Sequence, residues 1–442
     1  MTGADQIREK LRERGIAWAL KTGGAAIELE LLASADPAAA RDLLYKALDR
    51  LEPFFSVFLK GLPYCFMPDA WGRVLYRKKS GVRYTRPMSC RSCALAALCP
   101  GLEKPGRFSG LDRRLLSPVL TAPSEVVIEL TKKCNLNCRL CFASGSDETQ
   151  PLPALKRVLK EAKKLGIRNL RFTGGEPFLS PSLLPLLKEA MELGFYTLVN
   201  TNAALPAPGL FRKAATFIDN VLVSMQTTGP AEEKAATGAD FGVKIANMRL
   251  LREKVKVFRL GTVASKRLIK DFRCFYDLAA SLKADIWEIY RPMPDGRKTR
   301  RARGGIVGPA DIKRLSSLIA ALQPGGPRAL IANPVPLCLV PEGERKNLLG
   351  AAFDDGHTRL VLDPRGFFKP SYYIEANLGK DLARAWRSPV LKKINSPARL
   401  TPACLACDYL LKCLGGSRAA AKKARGNYSS QDPWMPDRLK NA

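Results

Sequence analysis

Cys134, Cys138 and Cys141, in the run TKKCNLNCRLCFASG (131–145), are the residues whose spacing most clearly does chemistry. The C-x3-C-x2-C pattern puts three thiolates on one short loop, where they can hold three irons of a cubane iron–sulfur cluster. The fourth iron then has no protein ligand and can bind a substrate. Four cysteines would saturate the cluster, so three is the informative number. The bland alternative is a zinc site short of its fourth ligand.

The chain has 12 cysteines, and eight more fall into two sets of four. Cys65 precedes Cys90, Cys93 and Cys99; Cys338 precedes Cys404, Cys407 and Cys413. LPYCFMP (62–68) and VPLCLVP (335–341) echo one another, and each precedes a C-x2-C-x5-C run, hinting at related metal modules. Each set is read as an auxiliary iron–sulfur cluster, with structural zinc as the alternative, since zinc also favours C-x2-C pairs. Disulfides are not expected: the start, MTGADQIREKLRERG, is no signal peptide, no apolar run is long enough to cross a bilayer, and a cytoplasmic protein keeps its thiols reduced.

Stepping outward from the loop, strand candidates recur at EVVIELT (125–131), NLRFTG (169–174), FYTLVNTN (195–202), NVLVSMQ (220–226), KVFRLGTV (256–263) and DIWEIYRP (285–292). Helical patterns such as ALKRVLKEAKKLG and SLLPLLKEAMELG lie between them. This β-then-α alternation predicts an α/β fold with a parallel sheet, a partial (β/α)6 TIM-like barrel over 120–325. The cysteine loop follows the first strand, on the face where such sheets carry their active sites. Residues 1–119 are read as an N-terminal α/β module around AAIELELLA, PAAARDLLYKALDRLE and PFFSVFLKG, carrying the Cys65 set. Residues 326–442 are read as a cysteine-rich C-terminal domain with a hairpin in GHTRLVLDPRGFFKPSYY (356–373).

The cysteine run resembles the signature of the radical S-adenosylmethionine (SAM) superfamily, and TGGEPFL (173–179) resembles its second motif. The resemblance implies a [4Fe-4S] cluster whose open iron is chelated by SAM, and reductive cleavage giving methionine and a 5′-deoxyadenosyl radical that abstracts hydrogen. It further implies SAM contacts from Gly174, Gly175, Glu176, Pro177, Thr201, Asn202 and Ser224, the glycines by letting the backbone approach the cofactor. An electron donor such as ferredoxin or flavodoxin is implied as well. One departure is Leu140, where the family usually has an aromatic residue. CLACDYLLKCLGGSRAAA (404–421) resembles the SPASM extension of the same superfamily, but Ser417, Ser371 and Trp434 stand where further cysteines are expected. Two auxiliary clusters therefore do not fit in the C-terminal domain. One cluster with Cys338 as fourth ligand does, a pairing that rests on arithmetic and not on the family's pattern. Enzymes with such extensions often modify peptides or proteins, which makes a peptide the leading substrate.

A formal charge of +31 suits an anionic partner: an acidic peptide, an anionic metabolite, a tetrapyrrole or RNA. A zinc-stabilised nucleic-acid-binding protein would also explain the charge and the C-x2-C pairs, while leaving the open three-cysteine site unused. The basic run DGRKTRRARGG (295–305) could receive an anionic substrate or simply be solvated. His357 is the only histidine, and Tyr372, Tyr373 and Asp363 are further candidates for proton transfer. Cys274, in KDFRCFYDLAASL, is expected in the core.

Overall fold

A computed structural model describes residues 3–21, 26–32, 35–51, 55–106, 108, 115–138, 141, 147–293, 307–323, 325–352 and 354–439. The N-terminal module begins with helix α1 (Gly3–Glu13) and strands β1 (Ile16–Lys21) and β2 (Ala26–Leu31), followed by α2 (Pro37–Leu51), β3 (Ser56–Lys60) and β4 (Val74–Leu75). Its sheet runs β1-β2-β3-β4, antiparallel at β1–β2 and parallel thereafter. Ala40, Leu44, Ala47, Leu48 and Leu51 recur at helical spacing on α2 and bury against this sheet. A small antiparallel ribbon, β5 (Arg83–Thr85) and β6 (Leu102–Lys104), frames the run that carries Cys90, Cys93 and Cys99.

All six strands expected in the middle of the chain are present and parallel: β7 (Glu125–Glu129), β8 (Asn169–Thr173), β9 (Tyr196–Thr201), β10 (Asn220–Ser224), β11 (Val257–Val263) and β12 (Ile286–Tyr290). Two further strands join them. β13 (Arg328–Ile331) adds beside β12, and β14 (Arg359–Leu362) pairs parallel to β7 from the other side. The expected hairpin is β14 with β15 (Phe368–Lys369); it belongs to the central sheet, not to a separate one. The sheet stays open, with β13 and β15 as its edges.

Alternation along each strand sorts its side chains onto two faces. Val126, Ile128, Leu170, Phe172, Val221, Val223, Phe258, Leu260, Trp287 and Ile289 face outward and bury. They pack on the helices between the strands: α3 (Leu152–Lys164), α4 (Leu183–Glu192), α5 (Pro208–Ala215), α6 (Pro230–Thr237), α7 (Phe241–Arg252), α8 (Lys266–Lys270), α9 (Phe272–Ser281) and α10 (Pro309–Ala320). The alternate set, including Glu125, Arg171, Asn200, Leu222, Arg259 and Glu288, lines a single cavity of 2040 Å³. Burying whole apolar side chains such as Phe172 or Leu260 is worth roughly 1.5–3 kcal/mol each, and that packing carries the charged interior. Among the described residues no helix is long and apolar enough to cross a membrane.

Candidate active site

Cys134, Cys138 and Cys141 lie on the cavity wall, in the loop immediately after β7. Burial pushes the Cys138 thiol up to about 11, and the charges of Cys141 and Cys134 add to it. Cys134 is also raised, by burial first and then by Glu176 and Cys141. The three sulfurs therefore sense one another across a short gap. Among the described residues no group of three or more His, Cys, Asp or Glu side chains stands in a metal-holding arrangement, so the thiols are neighbours that ligation would draw in. Raised thiols hold their protons until a metal displaces them, which ties occupancy to deprotonation. The chemistry of the donor set fits a cluster: three thiols on one loop, facing a cavity with room beside them.

The Gly-Gly-Glu-Pro run after β8 is stitched to this loop. Gly175 N–H donates to Thr131 O at 2.7 Å, and Glu176 N–H donates to Lys133 O at 2.8 Å. A Cβ on Gly175 would stand 2.1 Å from Lys133 O, and one on Gly174 (φ +147°) 2.2 Å from Thr131 O. Both glycines line the cavity, but the close approach that demands them is to the cysteine loop, where the sequence reading had them serve approach to the cofactor.

Glu176 is fully buried and absent from the cavity wall. Its carboxylate accepts from Thr201 Oγ1 (2.7 Å), Asn202 N (2.7 Å) and Phe178 N (3.2 Å), while burial raises it to about 7. With its oxygens engaged in this way, it positions the end of β9. Asn202, held by that bond, donates through Nδ2 to Asn135 Oδ1 at 2.9 Å and reaches Cys134 Sγ at 3.6 Å. Pro177 is buried at the start of a 3-10 turn and is likewise off the wall. Thr201, Asn202 and Ser224 line the cavity.

Behind Cys138 lies a buried ion pair. Lys244 Nζ on α7 meets Glu233 Oε1 on α6 at 2.6 Å, with Thr227 (2.7 Å) and Thr237 (3.0 Å) donating to the same carboxylate. Asn137 N–H donates to Thr237 O, joining this knot to the cysteine loop. Deeper in, Arg171 grips Glu125 with two bonds (3.1 and 2.9 Å) and reaches Asn200. Arg259 meets Glu288 at 2.5 Å and Asn220 at 2.7 Å. Sequence reading passed over these residues. A usable signal existed, since Arg171, Arg259 and Glu288 are charges in the middle of short strands bound for a buried parallel sheet, where charge must be paired or used.

Other expectations sort cleanly. Tyr372 and Tyr373 line the cavity, and burial raises both, Tyr372 to about 12. His357 is half-buried and off the cavity wall, and desolvation with Arg399 and Arg418 nearby holds it well below the usual imidazole range. Asp363 caps the β14–β15 turn by accepting from Arg365 and Phe367. Cys274, expected in the core, is exposed on α9. The run 295–305 and Leu140 lie outside the described residues.

The cysteines of each four-cysteine set share one neighbourhood, but like the central three they do not stand in a metal-holding arrangement. Ser117 N–H donates to Cys65 O and Ala94 N–H to Val119 O, so one segment ties the Cys65 turn to the Cys93 turn. Cys65 feels Cys99, Cys90 and Cys93, and burial above all pushes it up to about 12. Leu337 N–H lies 3.5 Å from Cys413 Sγ, placing Cys338 beside the C-terminal run. Cys338 is pushed up to about 12, by burial, then Cys413 and Cys404.

Residues 128–268 match the family model of the Radical SAM superfamily. Over that stretch the chain is similar to radical SAM enzymes. Its similarity extends to an AdoMet-dependent heme synthase of Methanosarcina barkeri, 24% identical over 71% of this chain and 96% of that protein. A PqqA peptide cyclase of Methylorubrum populi is also 24% identical, over 71% of this chain and 85% of that one. Among solved structures, Streptococcus suis SuiB bound to S-adenosylmethionine superposes with a TM-score of 0.60 at 22% identity, covering 71% and 77% of the two chains. anSMEcpe, solved with bound AdoMet and the Cp18Cys peptide, gives a TM-score of 0.52 at 16% identity over 70% and 92%. These likenesses show a shared fold.

The positions where this chain departs from a full SPASM-like cysteine set are rebuilt as a polar knot. Ser371 Oγ donates to Asp355 Oδ1 at 3.3 Å, Ser417 N–H to Asp432 Oδ2 at 2.8 Å, and Trp434 N–H to Asp432 Oδ1 at 2.9 Å. Arg418 is fully buried there, donating to Asp355, Tyr428 O, Ser430 O and Gly415 O. Arg291, on the cavity wall, pairs with Asp432 at 2.8 Å and stacks 3.8 Å from the centre of the Trp434 ring. Where cysteines would hold metal, hydrogen bonds and ion pairs hold the chain.

Proposed function

We propose that this enzyme cleaves SAM reductively at a [4Fe-4S] cluster held by Cys134, Cys138 and Cys141 and takes a hydrogen atom from a peptide or protein substrate. When bound, the cluster and SAM supply the 5′-deoxyadenosyl radical; the chain's own residues hold and orient. Gly174, Gly175 and Glu176 clamp the cysteine loop from behind, and Asn202 fixes its first turn. Thr201, Asn202 and Ser224 offer polar contacts to SAM along the strand ends. Tyr372 and Tyr373 stay protonated at neutral pH and can donate hydrogen bonds to substrate. Each terminal cysteine set holds one auxiliary iron–sulfur cluster, and a ferredoxin- or flavodoxin-type carrier supplies electrons.

The observation that carries the peptide reading is the cavity. Its 2040 Å³ exceeds the 300–1,000 Å³ or so of common small-molecule pockets. SAM would fill part of it and leave room for an extended segment. A relative named a PqqA peptide cyclase, and a SuiB structure bound to its precursor peptide SuiA, support this choice. A carboxylate-bearing tetrapyrrole is a second reading, favoured by Arg171, Arg259 and Arg359 on the cavity wall and by the relative named a heme synthase. The test is anaerobic incubation with SAM, dithionite and either a library of short peptides or an iron porphyrin bearing propionates. Substrate-dependent 5′-deoxyadenosine with a mass change in a peptide supports the proposal. Loss of carboxyl mass from the porphyrin, with every peptide unchanged, overturns it in favour of the second reading.

A further inference from the structure

The two outlying cysteine sets are built alike, and segments that flank them pack together. Cys65 and Cys338 each occupy the middle of a 3-10 turn, Tyr64–Phe66 and Leu337–Leu339, and each turn is introduced by a proline. The turns close with matching bonds, Phe66 N–H to Pro63 O and Leu339 N–H to Pro336 O, both 3.0 Å. Each follows a parallel strand, β3 in one case and β13 in the other.

Between the sets the chain is continuous packing. Asp408, next to Cys407, pairs with Arg77 at 2.6 Å, and Arg77 follows Tyr76. Tyr76 in turn bonds Tyr64 through its carbonyl (2.7 Å), and Tyr64 adjoins Cys65. Tyr409 meets Phe58 of β3 edge-on, with ring centroids 5.0 Å apart. Leu411 and Leu414, flanking Cys413, are buried in the core of the N-terminal module together with Tyr64, Phe66 and Trp71. On the far side, the polar knot of Arg418, Asp432 and Arg291 leads from the C-terminal set to the cavity wall. The segment leading into the N-terminal set is exposed and basic, with Lys78, Lys79, Arg83, Arg86 and Arg91 all exposed and Arg86 donating to Cys99 O at 2.7 Å.

From this placement we infer that the N-terminal set is the electron-entry site of a two-centre relay: an acidic one-electron carrier protein docks on the basic segment, and electrons pass from the N-terminal to the C-terminal set and on toward the cavity. The inference rests on the proposal that both sets hold iron–sulfur clusters. Each step moves one electron. The carrier is oxidised by one, and the N-terminal centre is reduced and then reoxidised as the C-terminal centre takes the electron. Complementary charge would set the docking face and speed the encounter.

The test uses the full chain, purified anaerobically as the Cys138→Ala variant so that only the terminal sets contribute. The relay predicts about eight irons with matching sulfide. On full reduction by dithionite, electron paramagnetic resonance should show two mutually broadened, fast-relaxing signals. Cys90→Ser with Cys93→Ser should remove about four irons and leave one narrow signal. Cys404→Ser with Cys407→Ser should do the same from the other side, and serves if the first pair of changes fails to fold. The Cys138→Ala protein also tests coupling without any further substitution. Zinc in either set, or two narrow signals that do not sense one another, overturns the inference. If the otherwise unaltered protein still forms 5′-deoxyadenosine in that event, the central proposal stands and only the relay falls.

Discussion

Replacing Gly175 by alanine tests how the cysteine loop is held. The new Cβ would stand 2.1 Å from Lys133 O and 2.6 Å from Lys132 O, both backbone atoms that cannot swing aside. Ordinary contact begins near 3.4 Å, so the two loops must part by about 1.3 Å. That breaks the bonds from Gly175 N–H to Thr131 O and from Glu176 N–H to Lys133 O. Two lost backbone bonds at roughly 1 kcal/mol each, with overpacking of roughly 1–3 kcal/mol, give about 3–5 kcal/mol against the native loop. At roughly 1.4 kcal/mol per tenfold, the native arrangement loses about two to four orders of magnitude in population. Gly209→Ala is the control, because nothing lies within 4 Å of its Cβ position on α5. The assay is iron per chain after anaerobic reconstitution, alongside 5′-deoxyadenosine formed under dithionite. Gly175→Ala should lose about four irons and most of the cleavage, while Gly209→Ala matches the unaltered protein. A Gly175→Ala protein with unchanged iron and cleavage would refute the idea that this loop contact builds the site.

Three other outcomes follow from the geometry. Lys244→Met or Glu233→Gln alone should cost about 3–5 kcal/mol by stranding a buried charge, and the double change less than the sum; urea unfolding of the four proteins checks this. Glu176 is raised to about 7 by burial from the ordinary carboxylate range, so the folded state binds more protons than the unfolded one between those values. Stability should therefore fall as pH rises from about 4.5 to about 7, by an order of 3 kcal/mol, and Glu176→Gln should flatten that slope in thermal unfolding. Lys78→Glu with Lys79→Glu on the exposed basic segment should slow reduction by an acidic carrier at low salt and weaken its ionic-strength dependence; stopped-flow absorbance reads it.

Much of this was written locally in the chain. The six parallel strands announced themselves because each is a short β-branched or aromatic run between amphipathic helices, and the cysteine loop fell after the first of them. The arithmetic that joined Cys338 to the C-terminal run agrees with Leu337 N–H lying against Cys413 Sγ. What stayed hidden depends on distance or phase. β14 pairs with β7 across more than two hundred residues, which no local pattern encodes. Glu176 turned inward because Thr201 and Asn202, on another strand, supply the donors that make its burial tolerable. Cys274 was a question of helical phase: Phe272, Phe275, Tyr276 and Ala279 form the buried stripe of α9, and Cys274 lies off it. The replacement of cysteines by Ser371, Ser417 and Trp434 was visible, but its filling by Asp355, Asp432, Arg291 and Arg418 needed the fold.

The most direct test is whether the three-cysteine loop makes this chain cleave SAM. Anaerobically reconstituted protein, reduced with dithionite and given SAM, should release 5′-deoxyadenosine and methionine in equal amounts. Cys138→Ala should abolish both products and remove about four irons while leaving the melting temperature close to that of the unaltered protein without iron at that site. Cleavage that persists in Cys138→Ala, or none from the fully loaded unaltered protein, would contradict the assignment of Cys134, Cys138 and Cys141 as the ligands of the catalytic cluster.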